Sequence, residues 1–162
     1  MKQMRITFLL AILVVAFSAC KKDKYTTAPQ IRFNSMKPNT FAAGSLNPSL
    51  SSPLLSIQLT DSEGDFGFAP GEDTSYVYVK NLSIPPFDID SFPFPMAPEI
   101  QRKDLNAEVV IRLSDGRGIL VGTPTVPTHP YIDTLRFEVY VMDFEKNKSN
   151  VIITEPVYYI TP

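Results

Sequence analysis

Between Thr134 and Met142 the chain reads Thr-Leu-Arg-Phe-Glu-Val-Tyr-Val-Met, so Leu135, Phe137, Val139 and Val141 alternate with Arg136, Glu138 and Tyr140. A period of two places four apolar side chains on one face, the pattern of a half-buried strand. Its β-branched and aromatic residues suit a pleated surface. The same pattern recurs at Gln30–Met36, Leu55–Thr60, Tyr76–Ile84 and Ala107–Leu113, and Val151–Ile160 holds two short apolar runs around Pro156. These are six strands, and Gly118–Val121 is a weaker seventh. After residue 19 no stretch keeps a helical period over ten residues without proline or glycine. The chain has 15 prolines, all after residue 19, about twice the usual ~5% frequency, and proline at that density breaks helices. The expectation is an all-β sandwich of about seven strands. Its core is expected to hold Ile31, Phe33, Leu55, Ile57, Leu59, Val77, Val79, Val109, Ile111, Leu135, Phe137, Val139, Val141 and Ile152.

The N-terminus reads as a separate element. Lys2 and Arg5 precede an apolar run from Ile6 to Phe17, and Ser18-Ala19-Cys20 follows. A basic start, a short apolar run and small residues before a cut site describe a secretory signal peptide, and the run is too short for an ordinary membrane-spanning helix. Phe17-Ser18-Ala19-Cys20 resembles a bacterial lipobox, with Phe17 where leucine is usual. That resemblance implies cleavage before Cys20 and acylation of its thiol and new amino group. Cys20 is the only cysteine of the chain, and an unpaired cysteine in an exported protein calls for such an explanation. More than one acyl chain gives stable membrane anchoring. The expected division is therefore residues 1–19 as leader, 20–30 as lipidated cysteine and tether, and 31–162 as the folded domain. The polar stretch from Lys21 to Pro29 resembles the start of Bacteroidetes lipoproteins. There an acidic motif favours display on the cell surface, whereas here Asp23 is the only acid, which leaves surface and periplasmic orientations of an outer-membrane lipoprotein both open.

Composition excludes several function classes. The whole chain carries 15 Lys+Arg and 17 Asp+Glu. The leader removes Lys2 and Arg5, leaving 13 basic and 17 acidic side chains, a net charge of −4. No basic block stands beside aromatics, so a nucleic-acid footprint is missing. His129 is the single histidine and the mature chain holds no other thiol, so neither a zinc site nor a Cys-His or Ser-His catalytic set is expected. Gly-rich phosphate loops and nucleophile elbows are absent as motifs. The expectation is a protein that is not an enzyme.

Two regions stand out as candidate sites. Asp61, Glu63 and Asp65 are spaced by two in Asp-Ser-Glu-Gly-Asp-Phe-Gly, and Glu72 lies eleven residues after Asp61. Ca2+ takes several oxygens from a turning backbone at such spacings, although Phe66 stands where a helical Ca2+ loop needs glycine. The same residues also read as a solvated acidic turn. Asp143 and Asn147, in Asp143–Asn150, read as fixing a hairpin connection through Asx bonds, with a contribution to a cation site as the functional alternative. The second region is Pro85–Pro98, with five prolines and three phenylalanines. It reads as a proline-stiffened flap packed on the sandwich, or as a loop meeting a ligand or partner through Phe87, Phe92 and Phe94.

The elements Leu55–Gly67 and Asp133–Asn150 together resemble a group of Bacteroidetes-type lipoproteins without assigned activity. That resemblance implies a single immunoglobulin-like or cadherin-like β-sandwich. The functional expectation is a lipid-anchored cell-envelope binding or structural module, ordered by Ca2+ where the acidic loop binds it. The membrane is a partner through the anchor, and an envelope protein or glycan is the second partner. The alternative is an accessory glycan- or nutrient-capture lipoprotein beside an outer-membrane transporter, using Tyr76, Tyr78, Tyr131, Tyr158 or Tyr159.

Overall fold

The computed structural model describes residues 26–42, 52–67, 74–85, 87–94, 103–113, 119–120, 128 and 130–162. The leader, Cys20, most of the tether, Glu72 and His129 lie outside these residues. The described residues are all-β and sandwich-like, with no helix among them. In chain order the strands are β1 (Gln30–Lys37), β2 (Thr40–Ala42), β3 (Leu54–Asp61), β4 (Tyr76–Asn81) and β5 (Ile89–Pro93). They continue with β6 (Leu105–Arg112), β7 (Tyr131–Leu135), β8 (Phe137–Met142), β9 (Ile152–Ile153) and β10 (Val157–Thr161). Three sheets result, ordered β1-β3-β6, β2-β10-β7 and β5-β4-β8-β9. All pairings between these strands are antiparallel except β2 with β10.

Three sequence expectations are corrected. The strand expected over Thr134–Met142 is two strands in different sheets. Arg136 breaks it, because its amide donates to Ser83 Oγ (2.8 Å) and its carbonyl accepts from the Leu82 amide (2.9 Å). Its partner divides too. Leu135 faces Val157 and Glu138 faces Ile153, so Arg136 and Phe137 stand opposite Thr154, Glu155 and Pro156. The extra residue bends the ladder, and Pro156, which has no amide to donate, falls where none is required. The second correction is in Pro85–Pro98, where Ile89–Pro93 is the edge strand β5 paired with β4. An edge tolerates Pro93 because one side of the strand makes no ladder bonds. The third is the weak strand at Gly118–Val121, where the described Ile119 and Leu120 form a bend with buried side chains.

The alternation that marks the strands also fills the core. Leu55, Ile57 and Leu59 of β3, Val77 and Val79 of β4, and Phe137, Val139 and Val141 of β8 are all completely buried. Phe33 and Ile152 are only partly buried and pack against this cluster. In β1 the inward parity changes from Ile31 to Met36, because the register with β3 slips between Phe33 and Ser35. Such a bulge shifts every later side chain to the other face.

The outer flank of β8 shows how a short partner strand is supplemented. β9 pairs through only two residues, Ile152 and Ile153. The Phe137 amide therefore donates to Thr154 Oγ1 (3.1 Å) and the Val141 amide to Ser149 Oγ (3.0 Å). Buried amides need such partners whether backbone or side chain provides them. Asn150 ties this connection to the first strand, accepting from the Ile31 amide (2.7 Å) and donating to the Ile31 carbonyl (3.0 Å).

Candidate functional site

The register that builds the core also places acids at its end. Leu55, Ile57 and Leu59 face inward on β3, and the next position of that parity is Asp61. Phe137, Val139 and Val141 face inward on β8, and the next position is Asp143. Strands from two different sheets thus each end in an inward aspartate, and both side chains are almost wholly buried.

Two turns surround these aspartates. After β3, Asp61 Oδ2 accepts from the Gly64 amide (2.8 Å), and Gly64 takes the left-handed φ of 69° that glycine tolerates. Ser62 is pinned on two sides, donating its amide to Thr26 and accepting at its carbonyl from Asp104. Beyond them the Gly67 carbonyl accepts from the Ser75 amide (3.1 Å), which ties the loop to the start of β4. After β8, Asp143 Oδ1 accepts from the Asn147 amide (2.7 Å) and Oδ2 from the Asn147 side chain (2.9 Å). This is the turn-fixing role read for the pair from sequence. The two turns meet where the Phe144 amide donates to the Asp65 carbonyl (3.1 Å).

That contact gathers carboxylates from both turns. One oxygen each from Glu63, Asp65 and Glu145 lie within 4.8 Å of one another. Asp61 Oδ1 and both carboxylate oxygens of Asp65 are buried and accept no hydrogen bond. Burial pushes the Asp61 carboxyl up from its ordinary 3.8 to about 6. The Gly64 amide opposes that rise, and the neighbouring Asp65 and Asp143 carboxylates add to it.

Of the four acids singled out in sequence, the structure brings Asp61, Glu63 and Asp65 together, while Glu72 lies outside the described residues. Glu145 was missed as a member of the group. Its signal was present, since Asp143 and Glu145 repeat the spacing of two seen in Asp61, Glu63 and Asp65.

The raised Asp61 carboxyl has a signed consequence for the metal-free protein. The folded state holds this proton more tightly than the unfolded chain, so from the unfolded value of 3.8 up to about 6 stability falls as pH rises. Above that window the loss is complete. With chelator present, the melting temperature contributed by this group is therefore higher near pH 4 than near pH 7, by a few degrees. Asp61→Asn, whose amide can donate toward Asp65 as a protonated carboxyl would, removes that component and raises the melting temperature near neutrality. An unchanged pH slope in the variant would contradict this assignment.

The three flap phenylalanines separate. Phe92 and Phe94 are buried in the core, and Phe94 meets Phe66 edge to face at 4.8 Å. Phe87 is 44% exposed. Of the three, only Phe87 offers its ring to an outside partner.

A tyrosine array lies on the outer face of β4 and β8. Tyr78 and Tyr140 stack at 4.8 Å with planes 9° apart, and Tyr76 is 6.3 Å from Tyr78. Lys148 Nζ sits 3.8 Å from the Tyr140 ring centre. Tyr78 reaches Tyr140 from β4, and Lys148 pairs with Met142 on β8. Tyr140 therefore has a ring on one side and a cation on its ring as well. Elsewhere Tyr159 is buried against Phe41 at 5.0 Å, and Tyr131 and Tyr158 are partly open to solvent.

Comparison with protein-family models, curated proteins and solved structures finds no match to this chain. The site therefore has to be read from its own chemistry.

Proposed function

We propose that this chain is a lipid-anchored module of the cell envelope that works by binding or by structural support, on an immunoglobulin-like sandwich. The strand order carries the architectural part of this reading. In this reading β7 with β8 and β9 with β10 count as bent strand pairs, and the second and third sheets make one layer in the order β2, β10/β9, β7/β8, β4, β5. The other layer is β1-β3-β6. A first strand in one sheet and a short second strand beside the last in the other fit that sandwich class.

The leader and Cys20 support anchoring, and the polar tether lets the domain stand off the membrane. The outer face of β2-β10-β7 supports binding, because Ile132 and Tyr158 lie open there on neighbouring strands. The capture of glycans by stacking on sugar rings draws less support. Tyr78 and Tyr140 spend ring faces on each other and Tyr140 carries Lys148, while Tyr159 is buried.

Partition between detergent and aqueous phases tests the anchor. The full-length protein is expected in the detergent phase, labelled by palmitate supplied to the cells. Cys20→Ala is expected in the aqueous phase without label. Label retained in the variant, or wild-type protein in the aqueous phase, would overturn the reading.

A further inference from the structure

We propose that the acidic end of the domain is a Ca2+ site formed by Glu63, Asp65 and Glu145, with the buried Asp61 behind them, and that the ion joins the turn after β3 to the turn after β8. The inference goes beyond the anchored-module reading and does not depend on it, since every residue involved belongs to the folded domain.

The cluster of Glu63, Asp65 and Glu145 brings oxygens from both turns within one small space. Clustered acids alone are ordinary on a protein surface. The independent observation is Asp61, completely buried, with Oδ1 accepting nothing. Both oxygens of Asp65 are likewise buried and without a donor. A buried carboxylate oxygen without a partner is costly, and two carboxylates side by side add repulsion. Among the described residues no amide, hydroxyl or cationic side chain reaches these three oxygens, so in the metal-free protein only a proton on Asp61 can bridge it to Asp65. A cation between the turns satisfies several of them at once.

The chemistry selects the ion. The donors of the described cluster are carboxylate oxygens, which favours a hard cation over zinc or copper. The carboxylates come from two irregular turns rather than a regular frame. Ca2+ accepts six to eight oxygens in such flexible arrangements, whereas Mg2+ demands a near-ideal octahedron. The backbone is already arranged for the task, because the Phe144 amide bond to the Asp65 carbonyl holds the two turns in register. Asp143 supports the site as a positioning residue, its oxygens committed to Asn147.

Calorimetric titration of Ca2+ into the detergent-extracted full-length protein tests the proposal. One saturable site is expected, with a dissociation constant of about 10⁻⁴–10⁻³ M, the range of extracellular Ca2+ modules. Asp65→Asn should weaken it roughly tenfold or more, because ligand charge sets affinity in such sites. Asp61→Asn should weaken binding while the circular dichroism spectrum stays that of the folded protein, which separates a lost ligand from a lost fold. Glu155→Gln, in the β9–β10 connection, should bind as wild type does. Cys20→Ala should also bind as wild type does, so failure of the anchor and failure of the site are distinct results. Absence of saturable binding to the wild type, or equal binding by the Asp65→Asn variant, would overturn the proposal.

Discussion

Phe137→Ala is expected to lose about 3–5 kcal/mol of folding stability. Phe137 is completely buried, at the point where the chain has just crossed from the sheet of β7 to the sheet of β8. Its ring fills space that only a large side chain can fill, and truncation leaves a cavity in addition to the lost transfer energy. The surrounding backbone has little freedom to close that cavity. The Phe137 amide and carbonyl are bonded to Thr154 Oγ1 and to the Thr154 amide, and the preceding Arg136 is held to the 82–83 turn. A denaturant melt reads the loss directly. A change below about 1 kcal/mol would remove Phe137 from the core.

Asn81→Ala is the second large effect, expected at about 2–4 kcal/mol from groups left unsatisfied. Asn81 ends β4 with its side chain buried. Its Nδ2 donates to the Ile119 carbonyl (3.0 Å), and its Oδ1 accepts from the amides of Ser83 (2.8 Å) and Ile84 (3.3 Å). One amide group thus shapes the turn toward β5 and holds a distant segment against the core. Alanine removes all three bonds and cannot replace any of them. The same denaturant melt measures the loss, and Asn81→Asp separates the roles because its carboxylate still accepts from Ser83 and Ile84 but cannot donate to Ile119. A loss near zero for alanine would mean that water replaces these bonds without cost.

The strands were legible because alternation and burial share one cause. Each of β3, β4, β6 and β8 shows a period of two that the core then uses, and most of the expected core residues are buried. What escaped the sequence was long-range. Nothing in Thr134–Met142 signals a break at Arg136, because the break comes from Ser83 and Leu82, more than fifty residues earlier in the chain. β5 was hidden by its flanking prolines, which usually mark loops but are tolerated at a sheet edge. Met36 carried a readable clue, since it departs from the parity of Ile31 and Phe33 and so announces the bulge between them.

The candidate site was legible in part for the same reason. Asp61 could be found from its spacing to Glu63 and Asp65, and more firmly from its parity with Leu59. A carboxylate on the inward face of a strand is a costly placement that asks for a partner. Asp143 holds the same position after β8, but one sequence cannot reveal that the two strand ends meet. That knowledge comes from the Phe144–Asp65 hydrogen bond, which also brings in Glu145.

One cation holding both turns at the acidic end of the domain would couple their local opening. Amide hydrogen exchange of the full-length protein, with Ca2+ and then with excess chelator, measures that coupling. A ligand that binds only the folded form slows exchange where it closes local opening. Ca2+ is expected to slow exchange at residues 61–67 and at residues 143–147 together, and Asp65→Asn is expected to abolish both effects. Slowing in one of these segments alone, or in neither, would contradict that coupling.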